Sequence, residues 1–113
     1  MGVPVEYIDV DDGLKRIMGN KTIYKKLLGS FKKDTYFDKL KLETNNGEYE
    51  AAAKTAHTIK GVSANLSFKK LNEITVSLEE DLKNGHSDAA KLGEMESILT
   101  ETLHYADILI ETL

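Results

Sequence analysis

The stretch Ala56-His57-Thr58-Ile59-Lys60-Gly61-Val62-Ser63-Ala64-Asn65-Leu66 gathers the residues of this chain best suited to chemistry. An imidazole is a nucleophile and proton carrier near neutral pH, and a lysine three positions on in a helix brings charge and hydrogen-bond donors to its side. If Ala56 and Ile59 face a core, His57 lies about 100° further round the helix, on the flank, where its ring reaches water. Its neighbours three and four positions away are Ala53, Lys54, Lys60 and Gly61, with Ala64 one turn further along. Gly61 is the anomaly, because a glycine inside a helix costs about 1 kcal/mol relative to alanine and nothing around it signals a helix end. Its missing side chain leaves room beside the ring for a bulky group or a partner's surface, and Lys60 suits an anion held there. The combination reads as a phosphorylatable histidine. His86, set in a polar loop, reads as a solvated surface residue.

Helices must position that segment. One proline, Pro4, and apolar residues recurring at spacings of three and four point to helix throughout, with no period-two strand. A short helical piece is expected over Val5 to Ile8, then acidic residues from Asp9 that suit the positive end of a following helix, and a short turn or helix from Gly13 to Met18 closed by Gly19. Asn20 is the expected N-cap of a helix with the stripe Ile23, Tyr24, Leu27, Leu28 and Phe31, continuing through Tyr36, Phe37, Leu40 and Leu42 to the loop Thr44-Asn45-Asn46-Gly47. From Glu48 to Leu66 the seam is Tyr49, Ala52, Ala56, Ile59, Ser63 and Leu66. Ser67 is a candidate N-cap for a segment with Leu71, Ile74, Leu78 and Leu82, ended by Asn84-Gly85, and Ser87 for a last helix running to Leu113. The fold class is all-α: an up-and-down antiparallel four-helix bundle with a short N-terminal helical segment, residues 1–113 forming a single domain.

Composition bounds the function. The 113 residues allow one core, and 41% apolar with 30% charged residues is a globular balance. No cysteine is present, which excludes disulfides and thiolate chemistry. No membrane span or signal peptide is apparent, so the expected compartment is the cytoplasm. The net charge of −4 is uneven: Gly13 to Lys33 holds seven Lys or Arg and no acid, whereas Asn72 to Leu113 holds ten acids and two Lys. Basic and acidic helices lying side by side would explain this. Nucleic acid is a poor partner, since the acidic half repels polyphosphate and no aromatics are interleaved with the lysines.

The run Ala-His-Thr-Ile-Lys-Gly-Val-Ser-Ala-Asn-Leu-Ser-Phe, with Leu71, Leu78-Glu79 and Asn84-Gly85 after it, resembles a histidine-containing phosphotransfer (HPt) domain of two-component phosphorelays. Asp9, Gly13-Leu14, Arg16, Gly19-Asn20, Tyr24, Leu27-Leu28 and Phe31 resemble that family's entry segment and first long helix. The resemblance implies that His57 takes a phosphoryl group from the aspartyl phosphate of a receiver domain and passes it to another receiver's aspartate. It implies further that Lys60 steadies the phosphoryl oxygens and that Gly61, Ala53 and Ala64 let the receiver close over the ring. The chain itself would need no cofactor and no metal, magnesium belonging to the receiver. Ten residues after its histidine the family commonly has glycine; Ser67 stands there, for which a changed turn or an added cap is expected.

Partners are then response-regulator receiver domains or a hybrid histidine kinase, and the chain is expected to be a monomer. With no Gly-rich phosphate cradle, it should be a phosphocarrier without kinase activity of its own. Phe68, Leu14 and Ile17 are candidates for the docking surface beside Gly61, Ala53 and Ala64. Two alternatives within the same fold are a non-phosphorylated adaptor and one module of a larger kinase. Glu101-Thr102-Leu103-His104 has the Glu-x-x-His spacing of di-iron bundles, but no second such pair exists because Lys54 precedes His57 and Lys83 precedes His86 by three positions.

Overall fold

The structure, a computed structural model, describes residues 2–113. Among them are six helices: α1 (Val10–Lys15), α2 (Lys21–Lys33), α3 (Tyr36–Asn45), α4 (Tyr49–Asn65), α5 (Lys69–Lys83) and α6 (Ala89–Thr112). Helices α4, α5 and α6 are three arms of a four-helix bundle, and α2 with α3 makes the fourth. α3 packs on α4, α4 on α5, α5 on α6, and α6 closes the ring against α2. Leu28, Leu40, Ala56, Leu71, Leu78 and Met95 meet at its centre with no exposed surface. The seam expected on α4 is the inner face: Ala52, Ala56, Ile59, Ser63 and Leu66 are buried.

Charge follows the same plan. Lys32 of α2 pairs with Asp107 of α6, and Lys41 of α3 with Glu96 of α6 at 3.4 Å. Both pairs are exposed and stabilise little.

Several local expectations are corrected. Val5 to Ile8 makes a single turn, with Tyr7 and Ile8 N–H donating to the Pro4 carbonyl, and the first helix starts at Val10. Asp9 caps it, accepting from Asp12 N–H at 3.2 Å. The long helix expected from Asn20 to Leu42 breaks at Asp34, whose backbone is extended and whose Oδ1 accepts from Tyr36 N–H. An aspartate followed by a threonine offers the backbone side-chain oxygens that compete with helix continuation. Ile23 and Leu27, placed on the apolar stripe, are about two-fifths exposed. Asp88, not Ser87, caps α6 by accepting from Ala90 and Lys91 N–H.

Ser67 does not cap α5; it ends α4. Its φ is +60°, its N–H donates to the Ala64 carbonyl, and Phe68 N–H donates to the Ser63 carbonyl at 2.8 Å. These two bonds satisfy carbonyls at the end of a helix, a closure that usually employs glycine at the left-handed position. Ser67 Oγ donates to Asp12 Oδ2 at 2.5 Å. Around it the entry segment is fastened to the α4–α5 connection: Asp9 N–H donates to the Ser67 carbonyl, Lys70 N–H to the Glu6 carbonyl, and Lys69 pairs with Asp9. Tyr24 completes the join, its phenol donating to the Leu66 carbonyl at 2.8 Å. Burial, with Asp9 and Asp12 nearby, pushes that phenol up to about 12. Gly13 is required here, since a Cβ on it would stand 2.6 Å from the Tyr24 hydroxyl.

Candidate functional site

Helix α4 carries His57 on its solvent flank, with 69% of the side chain exposed. Its Nδ1 lies 3.0 Å from Oε2 of Glu79, on the neighbouring helix α5. Glu79 is itself buried, only 3% exposed, and it collects two further partners: Lys60 Nζ at 2.7 Å from Oε1, and Lys83 Nζ at 3.2 Å from Oε2. Burial raises the Glu79 carboxyl, but hydrogen bonds from Lys60, His57 and Lys83 outweigh it and hold the group below the ordinary glutamate value. An ionised carboxylate only accepts hydrogen bonds, so Nδ1 of His57 carries the proton. In the neutral ring the lone pair then sits on Nε2, the nitrogen that Glu79 leaves free. Glu79 therefore selects the tautomer and holds the ring's orientation.

Gly61 is exposed, helical in conformation, and a Cβ on it would meet nothing within 4 Å. No contact among the described residues requires the glycine. The helix is nonetheless tied beside it: the Lys60 carbonyl accepts from Asn72 Nδ2 at 3.0 Å and from Ser63 Oγ at 2.9 Å. This clamp from α5 supports the turn that glycine weakens.

The structure brings His57, Lys60 and Gly61 together on one face. Ala64 is half-buried near it, whereas Ala53 is buried, 8% exposed, and offers little surface. Phe68 is corrected as a docking residue: it is fully buried and packs edge-on against Phe31, ring centroids 4.9 Å apart. Ile17 does line an open groove of about 800 Å³, with Leu27, Tyr36, Val62, Asn65 and Leu66. His57, Gly61 and Asn65 follow one another at spacings of four on α4, so ring and groove open on the same side. Leu14 is half-buried against the core. His104 lies against Tyr105, and among the described residues no three His, Cys, Asp or Glu side chains converge as a metal site would require.

Two site residues had no role assigned from sequence, Glu79 and Lys83. The signal was faint: the inner face of α5 is Leu71, Thr75, Leu78, Glu79 and Leu82, and its polar members blur the apolar period.

The Hpt domain family matches residues 27–106, and the chain belongs to that family. Membership gives it a phosphotransfer role in two-component signalling; domains of this family are phosphocarriers, and receiver domains and histidine kinases are their partners. No curated protein and no solved structure matches the chain. Among the described residues no helix is long and apolar enough to cross a membrane.

Proposed function

We propose that His57 is the phosphoacceptor, taking a phosphoryl group from the aspartyl phosphate of a receiver domain and passing it to the aspartate of another. The observation that carries this reading is the exposed ring whose Nδ1 is bound to a buried carboxylate, which leaves Nε2 as the available nucleophile. In the step, the Nε2 lone pair forms the N–P bond while the P–O bond to the receiver's aspartate breaks, and the aspartate leaves as a carboxylate. The Nδ1 proton stays in place, so the phosphorylated ring carries a positive charge next to Glu79, which stabilises it. The divalent metal that assists the transfer belongs to the receiver, and the bundle supplies a positioned ring and a cation.

The receiver would cover Gly61 and Ala64 and reach into the groove beyond. Lys15 ends α1 and Lys21, Lys25, Lys26 and Lys33 belong to α2, the helix that lends Leu27 and Phe31 to the groove, and among the described residues none of the five has an acid within salt-bridge distance. They suit a partner whose phosphoacceptor site is acidic.

The test is to mix the protein with a phosphorylated receiver and magnesium and follow the label. The expected product is an acid-labile, base-stable phosphate that is absent from His57→Gln, whose helical circular dichroism is unchanged. Label gained at another site by that variant would overturn the assignment. Binding without transfer would point to an adaptor.

A further inference from the structure

Lys60 is asked to do two things. In the unphosphorylated protein its ammonium is bound to Glu79, yet a phosphoryl group on His57 would need a cation beside it. Lys60 stands three residues from His57 on the same helix, close enough to serve either anion, and its side chain is partly exposed. Lys83 is different. It stands one turn beyond Glu79 on α5 and binds Oε2 of the same carboxylate, the oxygen that His57 also uses, while Oε1 is left to Lys60. Removing the only cation from a carboxylate whose side chain is 4% exposed is costly, because little water reaches it to take the cation's place. With two lysines present, one can leave and the carboxylate stays paired.

We propose that Lys83 is a positioning residue that frees Lys60: on phosphorylation of Nε2, Lys60 moves from Glu79 Oε1 to the phosphoryl oxygens, and Lys83 holds Glu79 at Oε2. The inference rests on the phosphotransfer reading of His57. The chemistry of transfer is as written above, with no further bond made or broken; only the partner of one ammonium changes. The carboxylate that remains with Lys83 and the Nδ1 proton then balances the positive charge on the ring.

A double-mutant cycle tests it. His57 is phosphorylated chemically with phosphoramidate, which needs no receiver, and the lifetime of the phosphohistidine is measured after the donor is removed. Lys83→Gln should shorten that lifetime about tenfold, the order expected for one charge-assisted hydrogen bond, because Lys60 stays on Glu79. Lys83→Arg should restore most of it. In a Glu79→Gln background, where no buried charge needs a cation, Lys83→Gln should change the lifetime by less than about twofold. An unchanged lifetime in Lys83→Gln overturns the proposal, and so does an equal loss in both backgrounds, which would mean that Lys83 acts on the phosphoryl group or on the fold directly. If the cycle behaves as expected but no receiver labels His57, the relay reading falls and the exchange of Lys60 stands; labelling by receivers without the coupling means the reverse.

Discussion

Gly61 and Ser67 stand six residues apart, and each occupies a place where the backbone would suit the other kind of residue. Gly61 is helical, a conformation in which alanine is more stable, and has empty space where its Cβ would be. Ser67 sits at φ +60°, a left-handed position that glycine fills without strain, yet it keeps a side chain and binds it to Asp12. The difference separates two kinds of constraint. The serine is explained from inside the chain, by the hydrogen bond that fastens the entry segment to the end of α4. No contact among the described residues explains the glycine; under the phosphotransfer reading proposed above, the constraint on it comes from the receiver that approaches His57.

The largest effect that would break this comparison comes from filling the space at Gly61. Gly61→Gln is expected to lower transfer between receiver and His57 at least about a hundredfold, since a misplacement of about 1 Å in a reacting pair costs that much. Its urea midpoint should hold or rise, glycine being about 1 kcal/mol worse than an ordinary residue in a helix. Gly93 provides the control. It too is an exposed helical glycine with nothing within 4 Å of its Cβ, but it lies on α6, away from His57. Gly93→Gln should raise stability by a similar amount and leave transfer unchanged. Equal losses of transfer and stability in Gly61→Gln would return the glycine to a packing role.

A smaller effect sharpens the other half. Ser67→Ala keeps the left-handed strain and loses the bond to Asp12, whereas Ser67→Gly loses the bond and relieves the strain. In urea denaturation Ser67→Ala should be the least stable of the three, with Ser67→Gly about 1 kcal/mol above it. Phosphotransfer should be the same in all. If the alanine variant matches the wild type, the Asp12 bond contributes nothing and the serine has no structural explanation.

What could be read from the residues follows the same division. The bundle was legible because its signals are local and periodic: the seam from Ala52 to Leu66, the cap Asn20, and the turns closed by Gly47 and Gly85 lie where spacing and turn chemistry put them. His57, Lys60 and Gly61 were legible because they are three and four apart on one helix. Glu79 and Lys83 reach them across helices, and only packing decides which residue of α5 faces His57. Phe68 was misplaced for the same reason: one turn past Ala64 in sequence it looks like part of the docking face, but Ser67 turns the chain inward and drives the ring against Phe31. The break at Asp34 was missed because the apolar spacing runs on through it.

The smallest expected effect concerns acid. Asp12 is held below the ordinary aspartate value, first by the hydrogen bond from Ser67 and then by the one from Arg16. A carboxyl with a lowered folded value binds fewer protons folded than unfolded, so the stability linked to it is complete above the ordinary value of 3.8 and is lost as pH falls from there through the folded value. Asp9, Glu79 and Asp81 are lowered as well and contribute to the same acid limb. Ser67→Gly removes the first cause at Asp12 alone, so its urea midpoint should fall less steeply than the wild type's as pH is lowered from 5 towards 3, an interval set by these ordinary carboxylate values. Gly61→Ala, which touches none of these groups, should keep the wild-type slope at a higher midpoint. Parallel curves for wild type and Ser67→Gly would mean that the hydroxyl does not share its proton with Asp12 in solution, and the serine at this turn would then be held by no bond of its own.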